Sequence, residues 1–172
     1  MTEFILYVAT SIDGYIARSD GSIDWLPSPE ADAEYNGYAN FYDSIDALVM
    51  GSTTYKQVLG FGDWAYLGKL SYVLTSRNLS TTRADVRFVK GGVEEVIEDV
   101  QEKGYKRVWL MGGGFVASSF IKRGLVDEYI ITVIPTILGA GISLYQSVPE
   151  LKLELVNVKS HDSGRVELHY KK

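Results

Sequence analysis

The sequence predicts an α/β fold: a central mixed sheet, mostly parallel, flanked by helices and extended by a C-terminal antiparallel hairpin. Three observations carry that expectation. Short apolar runs rich in β-formers recur at residues 4–10, 45–50, 71–74, 86–89 and 107–111. They are continuous rather than alternating, as in strands buried on both faces. Between the last two, Val93, Val96, Ile97 and Val100 recur at helical spacing, so strands and helices alternate. At the end the pattern changes in kind. Leu151, Leu153 and Leu155 alternate, Val156 and Val158 alternate out of phase, and Val166, Leu168 and Tyr170 alternate again after the turn Asp162, Ser163 and Gly164. That is a hairpin with a bulge near Leu155.

In chain order, the first run turns at Ser11, Ile12, Asp13 and Gly14 and returns briefly through Tyr15, Ile16 and Ala17. Residues 18–24 form a loop around Gly21. A helix then starts at Ser28 or Pro29, with Glu30, Asp32 and Glu34 near its positive end. Its buried stripe is Ala31, Tyr35, Tyr38 or Ala39, and Tyr42. The second strand runs into Gly51, Ser52, Thr53, Thr54 and Tyr55, small and hydroxylic residues that suit a helix N-terminus. Residues 58–70 are an irregular aromatic loop. The third strand ends in Thr75, Ser76 and Arg77, and the helix after the fourth stops at Gly104. A strand over 107–111, three glycines, a helix over 115–123 stopped by Gly124, and a strand over 128–135 complete the α/β part.

At 172 residues the chain suits one domain, spanning 1–172. With 46% hydrophobic and 23% charged residues it is neither disordered nor membrane-spanning. The N-terminus lacks a basic leader and reads as a strand, so cytoplasmic residence is expected. With no cysteine and only His161 and His169, no metal site is expected. A net charge of -5 argues against nucleic acid as partner and leaves a small-molecule ligand, including an anionic one held by a local positive site.

The chemistry gathers at the strand-to-helix turns. A strand feeding a glycine turn and then a helix aims unpaired N–H groups and the positive end of the helix dipole at one point, which suits a pyrophosphate. Gly112, Gly114 and Ala117 satisfy G-x-G-x-x-A, but Asp127 and Glu128 open the following strand and the motif comes late, so this is not a Rossmann fingerprint.

Four pieces in order, ATSIDGYIA, LVMGSTTYKQV, YVLTSR and VWLMGGGFVASSF, resemble the dihydrofolate reductase superfamily. They are most similar to the reductase domain of bifunctional riboflavin-biosynthesis deaminase-reductases, which also exists as a stand-alone protein. The resemblance covers nearly the whole chain and implies a dihydrofolate reductase-like fold, NADPH as cofactor and a homodimer. By resemblance, Ala9, Ile16 and Ala17 meet the nicotinamide carboxamide, with Asp13 and Gly14 shaping the turn beside them. Gly51, Ser52, Thr53 and Thr54 hold phosphates, Thr75, Ser76 and Arg77 form the adenosine 2′-phosphate site, and Gly112, Gly113, Gly114, Phe115 and Val116 lie under the pyrophosphate. Trp25 resembles the tryptophan near the substrate, Thr132 the threonine supporting a substrate-binding carboxylate, and Lys69 a basic position near the folate tail. That carboxylate falls on the helix after Trp25, where Glu30, Asp32 and Glu34 compete and Asp32 is preferred. Ser52 departs from the basic residue usual after the glycine, and the aromatic residue expected near Ala117 is missing.

The implied reaction is NADPH-dependent hydride transfer to a small heterocyclic or ribosylamino-pyrimidine substrate, with the protein supplying geometry and electrostatics. Asp32 or Asp13 is the candidate to help deliver a proton. Each has a structural alternative: Asp32 as a first-turn acid complementing the helix dipole, Asp13 as an Asx-type turn residue. Two rival readings stand beside the reductase: a non-catalytic nicotinamide-nucleotide-binding homodimer and a dihydrofolate reductase. His161, Asp162 and Ser163 are adjacent in a turn and cannot converge as a catalytic triad.

Overall fold

The structure, a computed structural model, describes residues 1–27 and 36–172. In chain order its elements are β1 (Glu3–Ser11), β2 (Tyr15–Ala17), α1 (Asn36–Ser44), β3 (Ala47–Gly51), α2 (Ser52–Leu59), β4 (Leu70–Leu74) and β5 (Val86–Val89). There follow α3 (Val93–Glu102), β6 (Arg107–Gly112), α4 (Gly114–Ile121), β7 (Val126–Ile134), β8 (Ile142–Ser143), β9 (Glu154–Ser160) and β10 (Val166–Lys171). Eight strands form one sheet in the order β5-β4-β3-β6-β1-β7-β10-β9. The strands from β5 through β7 are parallel, and β10 pairs antiparallel with both β7 and β9. This is the mostly parallel sheet with a terminal hairpin that the apolar runs and the late alternation predict.

Strand β1 occupies the middle, between β6 and β7, and both its faces are covered. Ile5 and Leu6 are fully buried on opposite faces, and each burial is worth about 1.5–3 kcal/mol. Leu6 and Phe4 pack toward α3 and α4 with Val96, Val100 and Phe120, the Phe4 and Phe120 rings lying 5.0 Å apart. Ile5 packs on the other side with Phe41, Leu48, Met50, Val73 and Trp109. A strand that must be apolar on both faces has no polar alternation, which explains the continuous run.

The helix expected from Ser28 or Pro29 is observed from Asn36; its start, and Ala31 and Tyr35 of its stripe, lie outside the described residues. Its remaining stripe is Tyr38, Phe41 and Tyr42, with Ala39 exposed. Residues 151–153 alternate but precede β9 rather than belong to it. The bulge is where alternation changes phase: Tyr170 pairs with Leu155 and His169 with Asn157, leaving Val156 as the extra residue.

Beside the main sheet, β2 and β8 form a two-stranded ribbon. Gly141 makes that approach possible, because a Cβ there would lie 2.3 Å from the Ala17 carbonyl oxygen. At the start of β7, Glu128 is only 6% exposed and faces three nitrogen groups: the His169 ring Nε2 at 3.0 Å, the cationic Lys171 Nζ at 3.3 Å and an Arg107 guanidinium nitrogen at 3.6 Å. Burial alone would raise its pKa, but the Lys171 and His169 contacts and the nearby charges outweigh it and hold the carboxyl below its ordinary value.

Candidate active site

A cavity of about 1080 Å³ opens at the C-terminal ends of the parallel strands, where ligands bind in open α/β sheets. Three neighbouring strands deliver backbone to it. Strand β3 ends at Gly51, and Ser52, Thr53 and Thr54 begin α2, with no side chain capping the helix start. The amides of that first turn are therefore left for a ligand or water. Next to it, β6 ends at Gly112 and passes through Gly113 into α4. Gly113 has φ 88 and Gly112 φ 144, conformations that a side chain would oppose. On the other flank β4 runs out into Thr75 and Ser76, just past its last residue Leu74; Thr75 Oγ1 accepts from the Arg77 amide at 3.0 Å, and the Thr75 amide donates to Val89 O at 3.0 Å.

The two helix starts are packed side by side. A Cβ on Gly51 would meet Val116 Cγ2 at 3.5 Å, and one on Gly113 would meet Thr54 Oγ1 at 3.6 Å. Gly114 is tighter still, with Ser143 O and Gln146 Nε2 each 2.4 Å from a would-be Cβ. Phe115 is 72% exposed at the cavity mouth, and Val116 forms part of the wall. The three strand ends lie at successive spacings of about 4.8 Å, close enough for one extended ligand to reach all of them.

The remaining sequence-predicted residues divide between the cavity and its surroundings. Ala9, Ile16, Ala17 and Thr132 line the cavity, and Thr132 is the cross-strand partner of Ala9. Asp13 is not in the wall. Its carboxylate accepts from Ser11 Oγ at 2.6 Å and from the Leu138 and Gly139 amides at 3.1 and 2.7 Å, so it ties two loops together. The Ser11 hydroxyl first, with the two amides, holds its pKa below the ordinary aspartate value against the opposing effect of burial. Trp25 lines a smaller cavity of about 220 Å³ with Pro27, Ile134 and Arg165, and its buried indole N–H has no hydrogen-bond partner among the described residues. Arg77 is exposed and outside the wall, whereas Lys90, which the sequence reading did not single out, lines it. Lys69 donates to Ile45 O at 2.6 Å. Asp32, Glu30 and Glu34 lie outside the described residues.

Two parts of the wall were not expected. One is aromatic: Tyr7, Tyr38 and Trp109 line the cavity, with Tyr7 and Phe41 packed edge-on at 4.6 Å and the Trp109 indole donating to Tyr7 O at 2.9 Å. The other comes from the hairpin. Lys159, His161, Arg165 and Glu167 all reach the cavity, the Arg165 guanidinium donating to His161 Nδ1 at 3.2 Å and the Tyr7 hydroxyl to Glu167 Oε2 at 3.1 Å. One signal was present in the sequence. The alternation of Val166, Leu168 and Tyr170 puts Glu167 and His169 on the opposite face, but only the strand order shows that this face borders the cavity.

This fold and this site define a class. The chain belongs to the RibD C-terminal domain family, which it matches over residues 3–166. It is similar to the uncharacterized protein YwjB of Bacillus subtilis (strain 168), with 37% identity over 96% of this chain and 95% of that one. Among solved structures, a Shewanella sp. PV-4 protein assigned to riboflavin biosynthesis superposes with a TM-score of 0.86 at 30% identity, covering 98% of both chains. A diaminohydroxyphosphoribosylaminopyrimidine deaminase/5-amino-6-(5-phosphoribosylamino)uracil reductase from Thermotoga maritima shares the fold, with a TM-score of 0.74 and 19% identity. The present chain spans 56% of that protein's length. The family implies a reductase with a nicotinamide cofactor, and the residues present fit one. Glycines without Cβ atoms, uncapped helix starts and hydroxyls line up along a cavity just above the usual range for ligand sites, roughly 300–1,000 Å³. Among the described residues no helix is long and apolar enough to cross a membrane, and no group of His, Asp or Glu is arranged to hold a metal ion.

Proposed function

We propose that the protein is an NADPH-dependent reductase acting on a small nitrogen heterocycle of the ribosylamino-pyrimidine type, as a 5-amino-6-(5-phosphoribosylamino)uracil reductase does in riboflavin biosynthesis. The observation that carries this reading is the convergence of three consecutive strand ends, at Gly51, Thr75 and Gly112, on one cavity whose other half is aromatic and polar. When bound, the reduced nicotinamide supplies a hydride to the carbon of a polarised C=N or C=O bond, and a proton goes to the nitrogen or oxygen. The chain does the rest. The amides at the starts of α2 and α4 hold the pyrophosphate. Ala9 and Ala17 set the nicotinamide beside Thr132, and Tyr7, Tyr38 and Trp109 exclude water from the transfer. Thr75, Ser76 and Arg77, with Lys90 in the wall, receive the 2′-phosphate. A cytoplasmic setting goes with this reading, since the reduced dinucleotide is a cytoplasmic reductant.

The protein is also proposed to work as a homodimer. Strand β9 is the free edge of the sheet, every one of its residues is exposed, and Leu155, Val156 and Val158 are 58%, 49% and 50% exposed. An apolar free edge calls for cover by a second chain. The same edge is shared by the second reading, a homodimer that binds the nucleotide without turnover.

The test is a titration of the purified protein with NADPH and with NADH, followed by tryptophan fluorescence, and then an assay of cofactor oxidation with 5-amino-6-(5-phosphoribosylamino)uracil. Tighter binding of NADPH and substrate-dependent oxidation are expected. Binding without turnover supports the second reading, and no binding of either nucleotide overturns both.

A further inference from the structure

A row of four residues crosses the sheet on the cavity side. Ala9 pairs with Thr132, Thr132 with Glu167, and Glu167 with Lys159, across β1, β7, β10 and β9. Directly opposed residues share a face of the sheet, and all four line the cavity. Two strand spacings, about 10 Å, separate the backbones of Ala9 and Glu167.

Glu167 is half-buried there and underused. Its Oε2 accepts from the Tyr7 hydroxyl at 3.1 Å, while among the described residues none donates a hydrogen bond to its Oε1. A carboxylate offers about four acceptor sites, and one that is partly shielded from water needs partners for them. Lys159, opposite it, makes no ion pair or hydrogen bond among the described residues, so the carboxylate is not consumed by a structural salt bridge. Next to it, Tyr7, Tyr38 and Trp109 form an aromatic wall against which a flat ring can pack.

We propose that Glu167 is the carboxylate that reads the substrate, accepting a ring N–H and an adjacent exocyclic N–H of a planar aminopyrimidine stacked on the Tyr7–Trp109 wall. The inference rests on the reductase reading above and deepens it. It assigns substrate recognition to the C-terminal hairpin, where the sequence reading looked to the segment after Trp25. Tyr7 is a positioning residue: its hydroxyl occupies one carboxylate oxygen and leaves the other for the ligand.

The test uses the full chain loaded with NADP⁺ and titrated calorimetrically with 5,6-diaminouracil, which carries both donors, and with its 1,3-dimethyl derivative, which lacks the ring N–H groups. Wild type is expected to prefer 5,6-diaminouracil over the dimethyl compound. Glu167→Gln is expected to bind 5,6-diaminouracil about tenfold or more weakly, to lose the preference, and to keep its NADP⁺ affinity. Tyr7→Phe is expected to show a smaller loss of the same kind. Unchanged discrimination in Glu167→Gln overturns the assignment, as does a wild type that binds NADP⁺ but does not distinguish the two probes. Failure of wild type to bind NADP⁺ removes the reductase reading itself, and the inference with it.

Discussion

Gly114 and Ser143 approach so closely that a Cβ on the glycine would lie 2.4 Å from the Ser143 carbonyl oxygen. The contact joins the start of α4 to β8, and β8 pairs with β2, so two walls of the cavity are fixed to each other. A Gly114→Ala substitution must push them apart. Overpacking of this kind costs about 1–3 kcal/mol, and melting followed by circular dichroism should show it. Because the first amide of α4 moves as well, affinity for NADPH should fall with stability, whereas a purely structural contact would leave affinity unchanged.

Lys90 lines the cavity and Arg77 does not, although both follow strands that end side by side. On the proposed reading Lys90 is therefore the cation nearer the 2′-phosphate. Lys90→Ala should weaken NADPH about tenfold more than NADH, the size expected for one charge-assisted hydrogen bond. Arg77→Ala should show the same preference at smaller amplitude, and fluorescence titration of both variants with both nucleotides would rank them.

Asp13 acts through the loops it joins. Its pKa is held below the ordinary value, so its tie is complete above the unfolded value of about 3.9 and is lost as pH falls through the lower, folded value. The Leu138 and Gly139 amides, normalised for intrinsic exchange, should be protected at neutral pH and lose protection in strong acid. In Asp13→Ala they should be unprotected throughout.

Glu128 follows the same sign for a different reason. Two cations and an imidazole surround a carboxylate that is nearly inaccessible to water, so Glu128→Gln leaves Arg107, Lys171 and His169 without their common partner. A loss of about 2 kcal/mol is expected from charged hydrogen bonds alone, or roughly 4–8 °C in Tm for a chain of this size. The depressed pKa places the loss of this stabilisation in wild type on the acid side, so the gap between wild type and variant should close as the pH falls.

Features set by nearest neighbours were legible in the sequence. Buried parallel strands show as continuous apolar runs, α3 as Val93, Val96, Ile97 and Val100, and the bulge at Val156 as a change of phase. The strand-to-helix turns at the cavity were legible too, because a strand, a glycine and a helix start are local chemistry. What escaped depends on which strands become neighbours. Glu167 and Lys159 look like ordinary exposed charges until β10 pairs with β7, and Tyr7 and Trp109 lie 102 positions apart before the Trp109 indole finds the Tyr7 carbonyl. The Tyr15–Ala17 segment gave no hint of its partner, since a strand of two residues at Ile142 and Ser143 carries no periodicity.

The central place of β1 has a consequence for the newborn chain. Its two partners are residues 107–110 on one side and 126–134 on the other. At about 5–20 residues per second, roughly 5–20 s of translation pass before the first of them is made. Through that time an apolar strand with two open edges waits at the exit of the ribosome, a natural substrate for a holding chaperone.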